Sequence, residues 1–346
     1  MTRRRDIGIA VGIAGAAAVL LTVAIGLMVT LDMHRGEMAD PRPRTPATVG
    51  TRPQTSAIAE PFVPADRVPV LCYHYVRGPG GPIQFVRVFG YVVLSLPLLD
   101  DSEIWKVSRH GFERQMQYLV AHGYHTVTLD DLHDWQMGRL ELPAKSIVLT
   151  FDDGEESAYK YVYPVLEKYG LRATLFVVTS RVGTTWNGLR CLDWPRLREM
   201  QRSGVFDIES HTHDLHYKVG AKNDLKPVYL AAAEDPTARA VSTRWDAVLF
   251  DDLAKSRVTI ERQIGRTPHF LAWPYGFGNP AVDQIAVEAG FTRTCALRAR
   301  PNRPLGTARL ALSDTEHFEI PRYTVTARTS LRTFREMLEG AYAPTR

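Results

Sequence analysis

Cysteine is scarce in this chain: Cys72, Cys191 and Cys295 are the three in 346 residues. Their number is odd, their spacing is wide, and no Cys-x-x-Cys pair occurs, which argues against a disulfide-dense framework. A single disulfide stays open, and the sequence does not choose it. Cys72 lies in an apolar strand pattern, where an inert buried thiol is expected, and no catalytic cysteine is expected. A dominant charge is lacking too. Forty-two Lys and Arg oppose 38 Asp and Glu, and a net +4 is too small to argue for an acidic partner. With neither a long basic stripe nor a Cys/His finger, nothing points to nucleic acid. The 45% hydrophobic and 23% charged mixture is that of an ordinary globular chain, long enough for one large domain or two small ones.

In one stretch charge is missing altogether. Residues 7–31 carry none, directly after Thr2-Arg3-Arg4-Arg5-Asp6. A helix of that length crosses a hydrocarbon core of about 30 Å. The arginines favour residues 1–6 in the cytoplasm and the body outside. A cleaved signal peptide is the rival reading, but its apolar core is usually only about 7–15 residues, and no clear Ala-x-Ala site follows. A buried core helix is the plainer alternative. The expectation is a single-pass anchor at 7–31 that places the protein on the membrane with its body extracytoplasmic. Residues 32–66 hold Pro41, Pro43, Pro46, Pro53, Pro61 and Pro64 without sustained periodicity and read as an extended linker. The body then spans 67–330, with a helix or tail at 331–346.

From Val68 onward strand and helix patterns alternate. Strands are expected at 68–73, 124–129, 146–151, 173–178, from 206, at 269–273, 293–296 and 319–325. Helices are expected at 112–122, at 158–169 closed by Gly170, and at 194–200, 249–263 and 281–289. Repeated strand–helix units imply an α/β fold with parallel strands. Periodicity does not separate a barrel from an open sheet, and both place functional loops at the carboxyl ends of strands. The apolar segment 80–107 is long for a strand-to-helix connection. It reads first as an extra hairpin or cap packed on the domain, and second as a groove wall or membrane-facing element on the rim.

Two polar clusters follow strands. Thr150-Phe151-Asp152-Asp153-Gly154 delivers adjacent carboxylates into a tight turn. Two dry carboxylates repel when both are ionised, and a metal can hold one while the other acts as a base. An ordinary Asp-rich turn is the plain alternative. Ser210-His211-Thr212-His213-Asp214-Leu215-His216 concentrates three histidines in six residues. Neutral imidazole suits zinc, nickel or cobalt, and His/His/carboxylate is a familiar catalytic ligand set. Hydrogen-bonded histidines without a metal are the competing reading. Trp186, Trp194, Trp273 and Tyr275 are candidates for stacking on sugars, although each alone reads as well as a core residue.

These residues resemble the polysaccharide deacetylases that carry a NodB homology domain, the carbohydrate esterase family 4 group, over roughly 68–325. The resemblance implies a distorted (β/α) barrel, with Asp152 as general base and Asp153 as first metal ligand. His211 and His216 match the histidine ligands, one residue further apart than the usual His-x-x-x-His. That longer spacing, together with Pro69-Val70-Leu71-Cys72-Tyr73-His74-Tyr75, resembles the poly-β-1,6-N-acetylglucosamine deacetylases. Trp273-Pro274-Tyr275-Gly276 resembles the groove-lining motif, in which the tyrosine N–H helps hold an oxyanion. The arginine common two residues before that proline is Ala272 here. Arg322 is the candidate replacement for orienting Asp152 and His317 the late candidate for general acid, while His213 stays open as a third ligand, a side chain supporting the ligands or an exposed bystander. The resemblance thus implies a metal-dependent hydrolase, with zinc first and nickel or cobalt next, releasing acetate from an acetylated amino-sugar polymer. A glycan-binding or scaffold protein without turnover competes with it, as do peptidoglycan and chitin-like substrates.

The anchor reading has a direct test. The intact chain is expected to sediment with membranes and resist high-salt extraction, while a chain starting near Ala65 stays in the supernatant. Release of the intact body into the medium, with cleavage near the apolar run, would refute it.

Overall fold

The computed structural model describes residues 63–78, 104–220, 225–231, 239–305 and 318–342. The 7–31 run, nearly all of the linker, most of the 80–107 segment and His317 lie outside them. Among the described residues no helix is long and apolar enough to cross a membrane.

Eight parallel strands form the main sheet: β1 (Val70–Tyr73), β2 (His125–Thr126), β3 (Ser146–Phe151), β4 (Ala173–Val177), β5 (Phe206–Ser210), β6 (Phe270–Ala272), β7 (Arg293–Leu297) and β8 (Glu319–Thr324). The order runs β1-β8-β7-β6-β5-β4-β3, and β3 pairs back onto β1, with Val70 opposite Val148 and Tyr73 opposite Phe151. This closes a seven-stranded barrel, with β2 attached to the first residues of β3. Strands covered on both faces read as unbroken apolar runs, and β3 and β4 are buried at every position.

Alternation along each strand sorts these residues between two cores. Val70, Val148, Phe176, Phe270, Ala272, Cys295 and Ile320 meet in one cluster that draws on six strands and fills the barrel. Their neighbours Leu71, Tyr73, Leu149, Phe151, Leu175 and Ile208 join a second cluster with the surrounding helices. Around the barrel lie α1 (Arg109–Ala121), α2 (Leu129–Gln136), α3 (Tyr163–Tyr169), α4 (Trp194–Arg202), α5 (Arg239–Ile264), α6 (Pro280–Glu288) and α7 (Leu331–Leu338). Helix α1 starts where Ser108 caps the Gly111 N–H, and it buries Phe112, Met116 and Leu119, the periodic residues of the sequence reading. Phe334, Met337 and Leu338 bring α7 into the same core, so this helix is part of the barrel shell rather than an appended tail.

Two stretches differ from the sequence reading. Residues 124–129 form only the two-residue β2, because Thr128 and Asp131 build a reciprocal capping box that starts α2 at Leu129. Helix α5 begins ten residues before the expected 249 and buries Leu249, Leu253, Ser256 and Ile260 at helical spacing. All three cysteines are free and buried, so the disulfide left open by the sequence is not formed. The 80–107 segment is described only at its end, where Lys106–Ser108 pairs in parallel with Tyr75–Arg77 just beyond β1.

After β6 the chain makes a tight turn over Pro274–Gly276, with Gly276 at φ 80° and its α-carbon against Leu297. A methyl group there would overlap the Leu297 side chain. Gly276→Ala is therefore expected to cost about 2–4 kcal/mol, from left-handed strain plus overpacking, measured by denaturant unfolding. A change below about 0.5 kcal/mol would show that the turn is not constrained in this way.

Candidate active site

The same alternation aims the polar residues. Along β3, Val148 and Thr150 face inward, and Asp152 continues that row at the carboxyl end of the strand. On β8, Ile320 faces inward and Arg322 follows it. On β5, Ile208 and Ser210 face the helices, Ser210 bonding Ser256 of α5 at 2.7 Å, so Glu209 and His211 turn inward. Closure of the barrel then places β1, β3, β5, β6 and β8 around one rim.

Asp152 and Arg322 form a bidentate pair, Nη1 to Oδ1 at 2.7 Å and Nη2 to Oδ2 at 2.9 Å, with Arg322 fully buried. Nη1 also donates to Thr150 Oγ1 at 3.2 Å. Burial alone would raise the Asp152 carboxyl, but the Arg322 guanidinium and the His211 imidazole outweigh it and hold it below its ordinary value. Cys72 Sγ lies 3.4 Å from Asp152 Oδ2, and burial pushes that thiol far up.

Asp153 turns the other way because its backbone is left-handed, φ 73°, followed by Gly154 at φ 67°. Its Oδ1 stands 3.1 Å from His216 Nε2 and 3.6 Å from His211 Nε2. Oδ2 accepts a 2.5 Å hydrogen bond from the Tyr75 hydroxyl. Oδ1 is buried and has no hydrogen-bond partner among the described residues. The His211 Nδ1–H is directed at the Ala272 carbonyl, 2.7 Å away, which leaves Nε2 as a lone pair, and burial lowers this imidazole to about 4. Three ligand-type atoms thus converge, with His211 Nε2 presented as a lone pair. Ligands about 2.1 Å from a tetrahedral ion stand about 3.4 Å apart, so these separations suit a small divalent cation.

The loop carrying both histidines is held from outside the barrel. Thr212 sits at φ 74°, a costly conformation for a β-branched residue. Asp252 of α5 accepts the consecutive N–H groups of His213 and Asp214, both at 2.8 Å. The His213 ring bonds Thr179 Oγ1 at 2.8 Å. His213 is thus engaged away from the ligand group rather than supporting it.

Tyr275, also left-handed at φ 61°, lays its ring 4.7 Å from that of His216. Trp273 offers no sugar platform. It is fully buried, stacked on Tyr229 and donating to Asp283 Oδ1 at 2.8 Å, because it shares the helix-facing side of β6 with Leu271, in the core under α5 and α6. Trp186 does reach the site, edge-on to His216 at 5.2 Å, from a short hairpin of Thr185–Trp186 and Leu189–Arg190.

His74 is the site residue that pattern reading passed over. It follows β1 on the same rim, and with Cys72 and Asp152 it forms a group whose ligand-type atoms lie within 4.8 Å of one another. Its Nδ1 is buried with no hydrogen-bond partner among the described residues, and its ring packs 4.5 Å from that of Trp105. The strand-end rule applied to Tyr73-His74-Tyr75 would have found both His74 and the Tyr75 bond to Asp153.

Replacing His211 or His216 with Ala is expected to lower bound divalent metal severalfold, while His213→Ala retains it. Metal content of the purified proteins checks the order. Full metal content in the His211/His216 double variant would exclude the assignment.

Comparison with known proteins agrees with this arrangement. The polysaccharide deacetylase family profile matches residues 139–294. A poly-β-1,6-N-acetyl-D-glucosamine N-deacetylase of Staphylococcus aureus is 29% identical over 228 residues, 64% of this chain and 70% of that protein. Among solved structures, IcaB from Ammonifex degensii superposes with a TM-score of 0.60 at 28% identity, covering 82% of this chain and 100% of that one. The de-N-acetylase from Aggregatibacter actinomycetemcomitans gives 0.62 at 26%, covering 79% and 100%. Sequence pattern, closed parallel barrel and relatives agree: over residues 139–294 this chain matches the polysaccharide deacetylase family, and its barrel is similar to theirs.

Proposed function

We propose that this chain removes acetyl groups from N-acetylglucosamine residues of a β-1,6-linked polymer by metal-assisted hydrolysis. The observation that carries the chemistry is the convergence of Asp153, His211 and His216 beside an Asp152 clamped by Arg322. The relatives named for poly-β-1,6-N-acetylglucosamine support the polymer.

Asp153 Oδ1, His211 Nε2 and His216 Nε2 would hold the ion, with Tyr75 and the Ala272 carbonyl fixing two of the ligands from behind. A borderline cation such as zinc, with nickel or cobalt as alternatives, supplies Lewis acidity toward the acetamide oxygen and lowers the pKa of water. Asp152 stays ionised against Arg322 and so can accept the proton of the attacking water. The left-handed Tyr275 turn sets its backbone at the rim, where its N–H is the candidate donor to the developing oxyanion. An amide nitrogen leaves poorly as an anion and needs a proton. In this reading His74, beside Asp152, gives that proton. The other candidate, His317, falls outside the described residues.

Asp152→Asn is expected to keep most of its metal and lose about 10²–10⁴-fold in turnover, whereas Asp153→Asn loses metal. The measurement is acetate release per bound metal from defined β-1,6- and β-1,4-linked oligosaccharides. Equal metal loss in both variants would defeat the division between base and ligand. Faster release from the β-1,4 series would defeat the polymer assignment. His74→Ala should slow N-acetyl cleavage far more than cleavage of an O-acetyl ester, whose alkoxide leaves more easily. Equal slowing of both would remove His74 as the proton donor.

A further inference from the structure

His216 is flanked by two rings, and each ring carries a cation. On one side Arg181 stacks over Trp186, with Cζ 3.7 Å from the ring centroid, and its Nη2 donates to the His216 carbonyl at 2.8 Å. Its Nη1 is buried with no hydrogen-bond partner among the described residues. On the other side Lys218 Nζ stands 4.5 Å above the Tyr275 ring, itself 4.7 Å from His216. The nearby carboxylates are engaged elsewhere: Asp153 with Tyr75 and His216, Asp152 with Arg322, Glu155 with Arg77, and Asp214 with Ser180 at the exposed surface. Neither Arg181 nor Lys218 forms an ion pair among the described residues. One flank of the site is therefore positive.

Hydrolysis changes the charge of the polymer. Each event adds water across a neutral acetamide and yields acetate and an amine, which is largely protonated near neutral pH, as an α-amino group is. A polymer shifted along the site would bring that ammonium against the cations beside His216. We propose that Arg181 and Lys218 form a cationic wall that selects residues whose neighbour on that side is still acetylated, so that deacetylation is spaced along the polymer rather than blockwise. This rests on the amino-sugar polymer reading above. Like charges a few ångströms apart at a partly exposed surface change a rate constant by about three- to tenfold, and salt screens the effect.

The test uses β-1,6-linked N-acetylglucosamine trimers, fully acetylated or with glucosamine at one end or the other. The protein is compared with Lys218→Gln, Arg181→Gln and the double variant, at low and high salt. The expected result is a kcat/KM lower by about fivefold for one of the two mixed trimers. That ratio should approach one in the double variant and at high salt. Because Arg181 also holds the His216 loop, a second measurement stands on Lys218 alone: binding of the glucosamine trimer should tighten in Lys218→Glu. Equal kcat/KM for all trimers, or a ratio that survives salt and substitution, overturns the wall. So does unchanged glucosamine-trimer affinity in Lys218→Glu. Absence of acetate release from the fully acetylated trimer overturns the polymer reading instead, and the binding measurement still decides the wall.

Discussion

A guanidinium with no access to water must be neutralised where it lies, and the pairing of Arg322 with Asp152 meets that demand at the mouth of the barrel. Removing one partner of such a pair typically costs about 3–5 kcal/mol, since the other charge stays buried. The pair forms only because β1 bridges β8 and β3 and closes the ring, so fold closure and site assembly are one event. With both its oxygens held, Asp152 leaves Asp153 as the carboxylate free to turn toward the histidines, and the left-handed backbone at Asp153 makes that turn. Two adjacent aspartates thereby acquire different surroundings, one clamped by a guanidinium and the other facing two imidazoles and the Tyr75 hydroxyl.

Much of this was legible in the sequence, for identifiable reasons. Buried parallel strands show as apolar runs, so β3 and β4 stood out, while β5 showed only through Phe206 and Ile208, and polar residues directly after these strands had to lie on one rim. Helices α1 and α3 carried their own punctuation in apolar spacing and in Gly170, and α4 lies where a helix was expected at 194–200. Short strands were less legible. His125–Thr126 could not announce itself against the capping signal at Thr128, and α5 starts in a stretch without apolar periodicity.

Within the site, residue type outran residue direction. The spacing of His211 and His216 suggested shared ligation, and the structure gives both rings the same target in Asp153 Oδ1. His213, between them, was indistinguishable by composition. Only the path of the loop, with Thr212 left-handed and Asp252 gripping the next two amides, sends it to Thr179. Trp273 showed the converse. Its motif placed it on the groove, while alternation with Ala272 turns it toward the helices, with its indole N–H occupied. His74 and Tyr75 were read only as part of a stretch resembling the deacetylases and were given no role, because their place at the end of β1 was not used.

The turns at Asp153, Thr212 and Tyr275 share one further property. Each holds a side-chain-bearing residue in a conformation that an isolated peptide seldom visits, and packing around the barrel sustains it. Their conformational cost is thus met by the packing of the barrel as the chain folds, so a substitution that loosens this packing disturbs the rim even where it touches none of the rim's polar residues.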